Sequence, residues 1–178
     1  MTNKIKKEIE ELIKKYYLDC SIKEFRNKAD WYHISYEQTL SEDFIREFQN
    51  KVSWYGISIC QELSEDFIRE FQNQVDWNRI SKCQKLSENF IREFKDKISW
   101  DLVLIKQIFS EDFIREFKEK VNWENISHFQ TLSEDFIREF KNKLDLKYLL
   151  KKKKISKFCY DFLISEKVNR FELIDIGD

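Results

Sequence analysis

The chain reads as an all-α solenoid of stacked short helical hairpins with degenerate capping repeats at both ends, and three observations predict that fold class. The first is a repeat. All five tryptophans, Trp31, Trp54, Trp77, Trp100 and Trp123, stand 23 residues apart, and the phrase SEDFIREF begins at Ser41, Ser64, Ser110 and Ser133, with SENFIREF at Ser87. The second is composition. Proline is absent and glycine occurs only at Gly56 and Gly177, so an all-β fold or a phosphate-cradling loop would lack its turn residues. The third is a doubled set of helix-start signals in every unit. A leucine-rich horseshoe falls in the same range of periods, but it needs an LxL strand and an Asn/Cys ladder position that this phrase lacks.

Taken in chain order, residues 1–30 are expected to form N-terminal cap helices. Lys4, Lys6, Lys7, Lys14 and Lys15 alternate with Ile5, Ile9, Leu12 and Ile13 in an amphipathic pattern. Ile22, Glu24, Phe25, Asn27 and Lys28 hold the register of Ile45, Glu47, Phe48, Asn50 and Lys51. Residues 31–145 contain five 23-residue units. Each unit carries two caps. Asp30, Ser53, Asp76, Ser99 and Asn122 precede the tryptophans, and Ser41, Ser64, Ser87, Ser110 and Ser133 open the repeated phrase; all are side chains that accept from orphan helix N–H groups. An apolar residue before each cap faces another five positions on, as with Val52 and Ile57 or Leu40 and Ile45, the pattern of a hydrophobic staple. Phe44, Ile45, Phe48 and Val52 then mark one helix face, with Glu42, Arg46, Glu47 and Lys51 on the other. In the first unit these signals predict helix A over Trp31–Thr39 and helix B over Glu42–Lys51.

Residues 146–178 are expected to be a degenerate repeat and a C-terminal cap. Asp145-Leu146 replaces the Asp-Trp start, and Leu149 and Ser156 keep their places before the register drifts. A single hairpin buries too little apolar surface to offset the ordering of its backbone. The array is therefore expected to fold as one continuous solenoid domain, closed by its atypical ends.

Composition also bounds function. The 178 residues are 42% hydrophobic and 37% charged, and no apolar run is long enough for a membrane-spanning helix. No apolar segment follows the basic N-terminus, so no secretory leader is expected. Cys20, Cys60, Cys83 and Cys159 form no CxxC pair, which points to a reducing, intracellular setting. Cys60 and Cys83, equivalent in adjacent units, are expected about 9–10 Å apart, too far for a disulfide.

Net charge is −1, with +2 in residues 1–30 and +3 in residues 146–178, so the repeats carry −6. An acidic array repels phosphate, which disfavours nucleic acid as a partner. The tryptophans are accordingly assigned to the inter-repeat core rather than to a base-stacking platform. The Lys151–Lys154 run reads as solvated lysines of the closing repeat, with a targeting signal or nucleic-acid patch as the alternative.

Chemistry is poorly supplied. His33 and His128 lie four units apart, and the carboxylates repeat identically, whereas acid–base catalysis needs two in different environments. His33 and Glu37 are at i, i+4, a weak two-ligand geometry. No catalytic residue, metal site or cofactor is expected, and the chain is read as a non-enzyme. The recurring Gln38, Gln61, Gln84, Gln107 and Gln130 lie on the Trp–Ile face and are expected to bond between neighbouring repeats.

The WxxISxxQxLSEDFIREF unit resembles short tandem repeats of giant DNA viruses of amoebae, over the five full units. The resemblance implies origin and architecture, with host cytoplasm or the virion as the location, and carries over no catalytic or binding residues.

Comparing the units with one another leaves one variable face. It comprises Tyr32, His33 and Tyr36; Tyr55, Gly56 and Ile59; Asn78, Arg79 and Lys82; Asp101, Leu102 and Ile105; and Glu124, Asn125 and His128. These helix A positions are consecutive or four apart and are expected to face solvent as one row. Repeat scaffolds use such extended surfaces for recognition. The expected function is a scaffold for a protein partner. A nucleic-acid binder using the basic ends and a self-associating structural protein are the alternatives.

Overall fold

The computed structural model describes residues 1–172, and side chains for residues 1–165. The last part of the expected C-terminal cap, 173–178, lies outside the described residues. Among the described residues the regular elements are fourteen α-helices without a strand, which excludes the horseshoe. They fall into two compact units, one of Met1–Ser99 and one beginning at Trp100.

The first unit holds α1 (Asn3–Lys15) and α2 (Ile22–Lys28), followed by three hairpins: α3 (Trp31–Glu37) with α4 (Glu42–Glu47), α5 (Trp54–Cys60) with α6 (Glu65–Glu70), and α7 (Trp77–Cys83) with α8 (Glu88–Glu93). Helix A packs on helix A, α3 against α5 and α5 against α7, while α1 packs on α2 and α4. The second unit holds α9 (Trp100–Lys106), α10 (Glu111–Glu116), α11 (Trp123–Phe129), α12 (Glu134–Glu139), α13 (Leu146–Lys151) and α14 (Lys157–Glu172). Here α9 packs on α11, α11 on α13, and α13 on α14. The predicted helical stacking is thus present in each unit.

The caps form where their residue types require them. Asp30, Ser53, Asp76, Asn122 and Asp145 cap helices A, and Ser41, Ser64, Ser87, Ser110 and Ser133 cap helices B through their side chains. The staple residues Val52 and Ile57, and Leu40 and Ile45, are all buried. Each helix B contributes a fully buried Phe–Ile pair, such as Phe44–Ile45 and Phe67–Ile68.

Both helices are shorter than the periodicity predicts. Helix A stops at Glu37 because Gln38 turns extended, with φ −108° and ψ 143°, and its carbonyl accepts from Gln61 Nε2 at 2.7 Å. Helix B stops at Glu47, after which Lys51 N–H and Val52 N–H both reach back to the Phe48 carbonyl, at 2.8 and 3.1 Å. The apolar period runs on through this tight turn, so period alone overstates the helix.

Three ladders tie neighbouring hairpins together. In the first, the buried Gln61 side chain accepts from Leu40 N–H at 2.9 Å and donates to the carbonyls of Ser35 and Gln38 at 3.2 and 2.7 Å. Gln84 repeats this toward Leu63, Ser58 and Gln61, and Gln130 toward Phe109, Leu104 and Gln107. In the second, the fully buried Ser35 hydroxyl donates to the Trp31 carbonyl at 2.6 Å and accepts from Ser53 N–H at 2.9 Å. Ser58, Ser81 and Ser127 do the same for Asp76, Ser99 and Asp145. In the third, Arg46 Nε donates to Glu70 at 2.8 Å while its guanidinium lies 5.0 Å from the Phe67 ring centroid. Arg69 with Glu93 and Arg115 with Glu139 are equivalent.

The ends substitute other side chains for missing repeats. On α1, Glu8 accepts from Ser41 N–H at 3.0 Å and from its hydroxyl at 2.7 Å, as Glu42 accepts from Ser64 N–H at 2.7 Å. Gln38, first in its series, bonds to Tyr16 and Lys15 instead of to a preceding repeat. At the other end Lys154 donates to the carbonyls of Ser127, His128 and Gln130 at 3.1, 2.9 and 3.1 Å. All four lysines of the run are exposed as expected, but the Lys154 ammonium also stands where a repeat glutamine amide would. Desolvation pushes its pKa below the ordinary lysine value.

The tryptophans are not interior side chains either. All five are half-buried. Each lies on the phenylalanine that ends helix B of its own unit, with ring centroids 4.8–4.9 Å apart as in Trp31–Phe48 and Trp77–Phe94. The indole N–H groups of Trp31, Trp54, Trp77 and Trp123 donate to the carbonyls of Arg26, Gln49, Gln72 and Lys118. An indole needs a partner for that N–H, and the carbonyl five residues upstream draws the ring to the rim.

Candidate functional site

Helix A carries its variable residues on the side away from the buried isoleucine and serine. Of the fourteen candidate positions, Tyr32, His33, Tyr55, Asn78, Lys82, Asp101, Ile105 and Glu124 are exposed, and Tyr36, Ile59, Arg79, Leu102, Asn125 and His128 are half-buried. The ordinary cause is period: Ile34 and Ser35, or Ile57 and Ser58, take the inward stripe and leave the flanking positions outside.

In the first unit these residues form a continuous aromatic row. Tyr32 and Tyr36 rings stand 4.5 Å apart, Tyr36 and Tyr55 6.3 Å, and the Arg79 guanidinium lies 4.9 Å above the Tyr55 ring. The row crosses three helices, α3, α5 and α7. Tyr36 departs from the expected solvent-facing position because Gly56 opens a slot for it. A Cβ on Gly56 would come within 2.8 Å of two Tyr36 ring atoms and 3.2 Å of Ser35 Cβ. Desolvation, with Tyr32 close by, pushes the Tyr36 hydroxyl above the ordinary tyrosine pKa.

Arg79 differs from the helix B arginines. Arg46, Arg69 and Arg115 each hold a carboxylate of the next hairpin, whereas Arg79 Nε is buried without a hydrogen-bond partner. At the other end of the row, His33 Nδ1 lies 2.8 Å from Asp30 Oδ2. That hydrogen bond raises the histidine pKa, while the His33 backbone N–H first and then the ring lower the aspartate's. Beside it is a cavity of about 280 Å³ lined by Tyr16, Leu18, Asp30, His33 and Ile34.

In the second unit the equivalent positions pair differently. Asn125 Nδ2 donates to Asp101 Oδ1 at 3.2 Å, and His128 stacks on Tyr148 at 3.8 Å with Lys152 5.8 Å from the Tyr148 ring. Tyr148 was missed because it falls in the degenerate repeat. The serine relay was missed too, although the recurring serine after Ile34, Ile57, Ile80 and Ile126 was a visible signal.

Chemistry of other kinds finds little here. Among the described residues there is no cluster of three metal-ligating side chains and no helix long and apolar enough to cross a membrane. The four cysteines are free thiols, with Cys60 and Cys83 exposed. The chain matches no family, no curated protein and no solved structure at a significant level.

Proposed function

We propose that this protein is a non-enzymatic scaffold whose helix A row reads a protein partner. One contrast carries the reading. The arginines of helix B are engaged in bonds between hairpins, Arg46 with Glu70 and Arg69 with Glu93, whereas eight of the fourteen candidate helix A positions are exposed and Arg79, over the Tyr55 ring, has an Nε without a hydrogen-bond partner. Tyrosine and arginine are the side chains interfaces use as anchors. The resemblance of the repeat unit to those of giant amoebal viruses supports an origin in such a virus and action inside the infected host.

Self-association through bare repeat ends is the weaker reading, since Glu8 and Lys154 already fill the positions a further repeat would occupy. The nucleic-acid reading loses Lys154 from its basic patch for the same reason.

The test is affinity capture from host lysate with the full chain. Tyr32→Ala and Arg79→Ala should each weaken capture by more than about 1 kcal/mol, with melting unchanged to within about 0.5 kcal/mol. Arg69→Ala should retain the partner. Normal capture by both helix A variants, with loss in Arg69→Ala, would move the interface to helix B.

A further inference from the structure

We propose that the outer face of α14 and the turn leading into it rest on an anionic lipid bilayer. Phe158 and Phe162 would enter the headgroup layer, and Lys151, Lys152, Lys153 and Lys157 would meet the lipid charge. Register argues first. Ser156 keeps the place of Ser133, and its hydroxyl caps α14 by accepting from Cys159 N–H at 3.0 Å. From that cap onward the chemistry of helix B is reversed. The acids Glu134, Asp135 and Glu139 give way to Lys157, Phe158 and Phe162 at the same register positions. Residues 146–160 carry six lysines and no acid, whereas the equivalent positions one unit earlier, 123–137, carry three acids and no lysine or arginine.

Packing argues second. Cys159 and Leu163 take the inward places of Phe136 and Phe140 and are buried. That leaves Phe158 83% and Phe162 43% exposed, four residues apart and so neighbours on one helix face. Where Arg115 reaches Glu139 at 2.8 Å, Arg138 instead lies 5.6 Å from the Phe162 ring centroid. The turn before α14 holds Lys153 at φ 55°, a position that glycine usually takes. Lys151, Lys152, Lys153 and Lys157 are all exposed.

Charge and shape name the occupant. Apolar side chains beside a lysine cluster hold a helix in the interface of an acidic bilayer, the lysines by electrostatic attraction and the rings by burial. A second copy would set these lysines against one another, and two phenylalanines offer at most about 500 Å², short of the about 800 Å² per partner of a stable interface. A nucleic-acid strand is tracked by a positively charged groove, whereas Phe158 stands almost clear of its neighbours. Acids nearby do not cancel the patch. On α12, Glu139 accepts from Arg115 at 2.8 Å and Glu134 lies 3.9 Å from Arg138. Exposed charges farther away are screened beyond about 8 Å at physiological salt.

The experiment is co-sedimentation of the full chain with vesicles of phosphatidylcholine alone and of phosphatidylcholine mixed with phosphatidylserine. The chain should sediment with the mixed vesicles only, and less as salt is raised. Lys151→Gln, Lys152→Gln and Lys153→Gln together should weaken binding about a hundredfold, at about fivefold for each lysine. Phe158→Ala with Phe162→Ala should weaken it about tenfold or more, while Phe158→Leu with Phe162→Leu should keep it, since burial and not ring stacking is required. Circular dichroism on each variant separates lost binding from lost fold. Lys6→Gln with Lys7→Gln on α1 should bind as the parent does. So should Tyr32→Ala and Arg79→Ala, which makes this result independent of the scaffold reading. Equal binding to neutral vesicles, full binding by the double alanine variant, or loss in the α1 variant alone would each overturn the proposal. Release from the vesicles by a single-stranded oligonucleotide that the leucine variant no longer binds would reassign the patch to nucleic acid.

Discussion

A glutamine amide has two donors and an acceptor, and Gln61 places them on three backbone groups of the preceding hairpin, Leu40 N–H, Ser35 C=O and Gln38 C=O. Ser35 C=O lies in the last turn of helix A, and Gln38 C=O and Leu40 N–H lie between the helices, so helical bonds leave them open. Burying them without a partner would cost about 1–3 kcal/mol for each group. Gln61→Ala should therefore destabilise the first unit by about 2–4 kcal/mol, read as a fall in the urea midpoint. A substitution at the exposed Tyr32 should move it by no more than about 0.5 kcal/mol. A Gln61→Ala midpoint equal to the parent's would remove the ladder from the stability account. The recurrence of glutamine in every unit made this role legible. Lys154 was not legible, since its register is one residue off and a long flexible side chain supplies the same donors from a different place.

At the scale of the element, the start of α3 couples a helix cap to a titrating side chain. Asp30 caps α3 by accepting from His33 N–H at 3.1 Å, and its other oxygen meets the His33 ring at 2.8 Å. The hydrogen bond to Asp30 raises the His33 pKa, and its contribution is fully present below the ordinary histidine value and lost as pH rises through the raised one. Asp30 is lowered, first by the backbone bond from His33, so its contribution is present above the ordinary aspartate value and lost as pH falls through the lowered one. The start of α3 is thus firmest between about pH 4 and 6.5. Both groups are exposed, so the effect is local. An NMR titration should place His33 above about 6.5, and Asp30→Asn, which keeps the cap, should bring it back. A midpoint unmoved by that substitution would show that the pair does not form in solution. Capping residues announced such helix starts in the sequence. Helix ends were less visible, because Phe48 and Val52 continue the apolar period while the Lys51 and Val52 N–H groups fold back on the Phe48 carbonyl.

For the whole molecule, the division of labour between the two helices is what connects repetition to function. Helix B varies only by Asn89 for aspartate, and its glutamate and arginine side chains bond to neighbouring hairpins, Glu42 to Ser64 and Arg46 to Glu70. The Arg46–Glu70 pair needs both members at a fixed 24-residue separation, so a change in one unit leaves a partner unmatched in another. Helix A is released from that constraint along its outer face, where the exposed Tyr32, Tyr55, Asn78, Asp101 and Glu124 put four residue types at one register position. The candidate row could be read from the sequence as positions, but not as a joined surface. Contact between Tyr36 and Tyr55 depends on Gly56, whose role as a slot is invisible until two helices are packed.

The central claim, that helix A is the recognition face, is tested most directly by hydrogen–deuterium exchange on the full chain, free and in the complex recovered by capture. Bound partner should slow exchange in Trp31–Glu37, Trp54–Cys60 and Trp77–Cys83, leaving Glu42–Glu47, Glu65–Glu70 and Glu88–Glu93 as they are in the free chain. Protection confined to the second set of segments, with the first set unchanged, would contradict it.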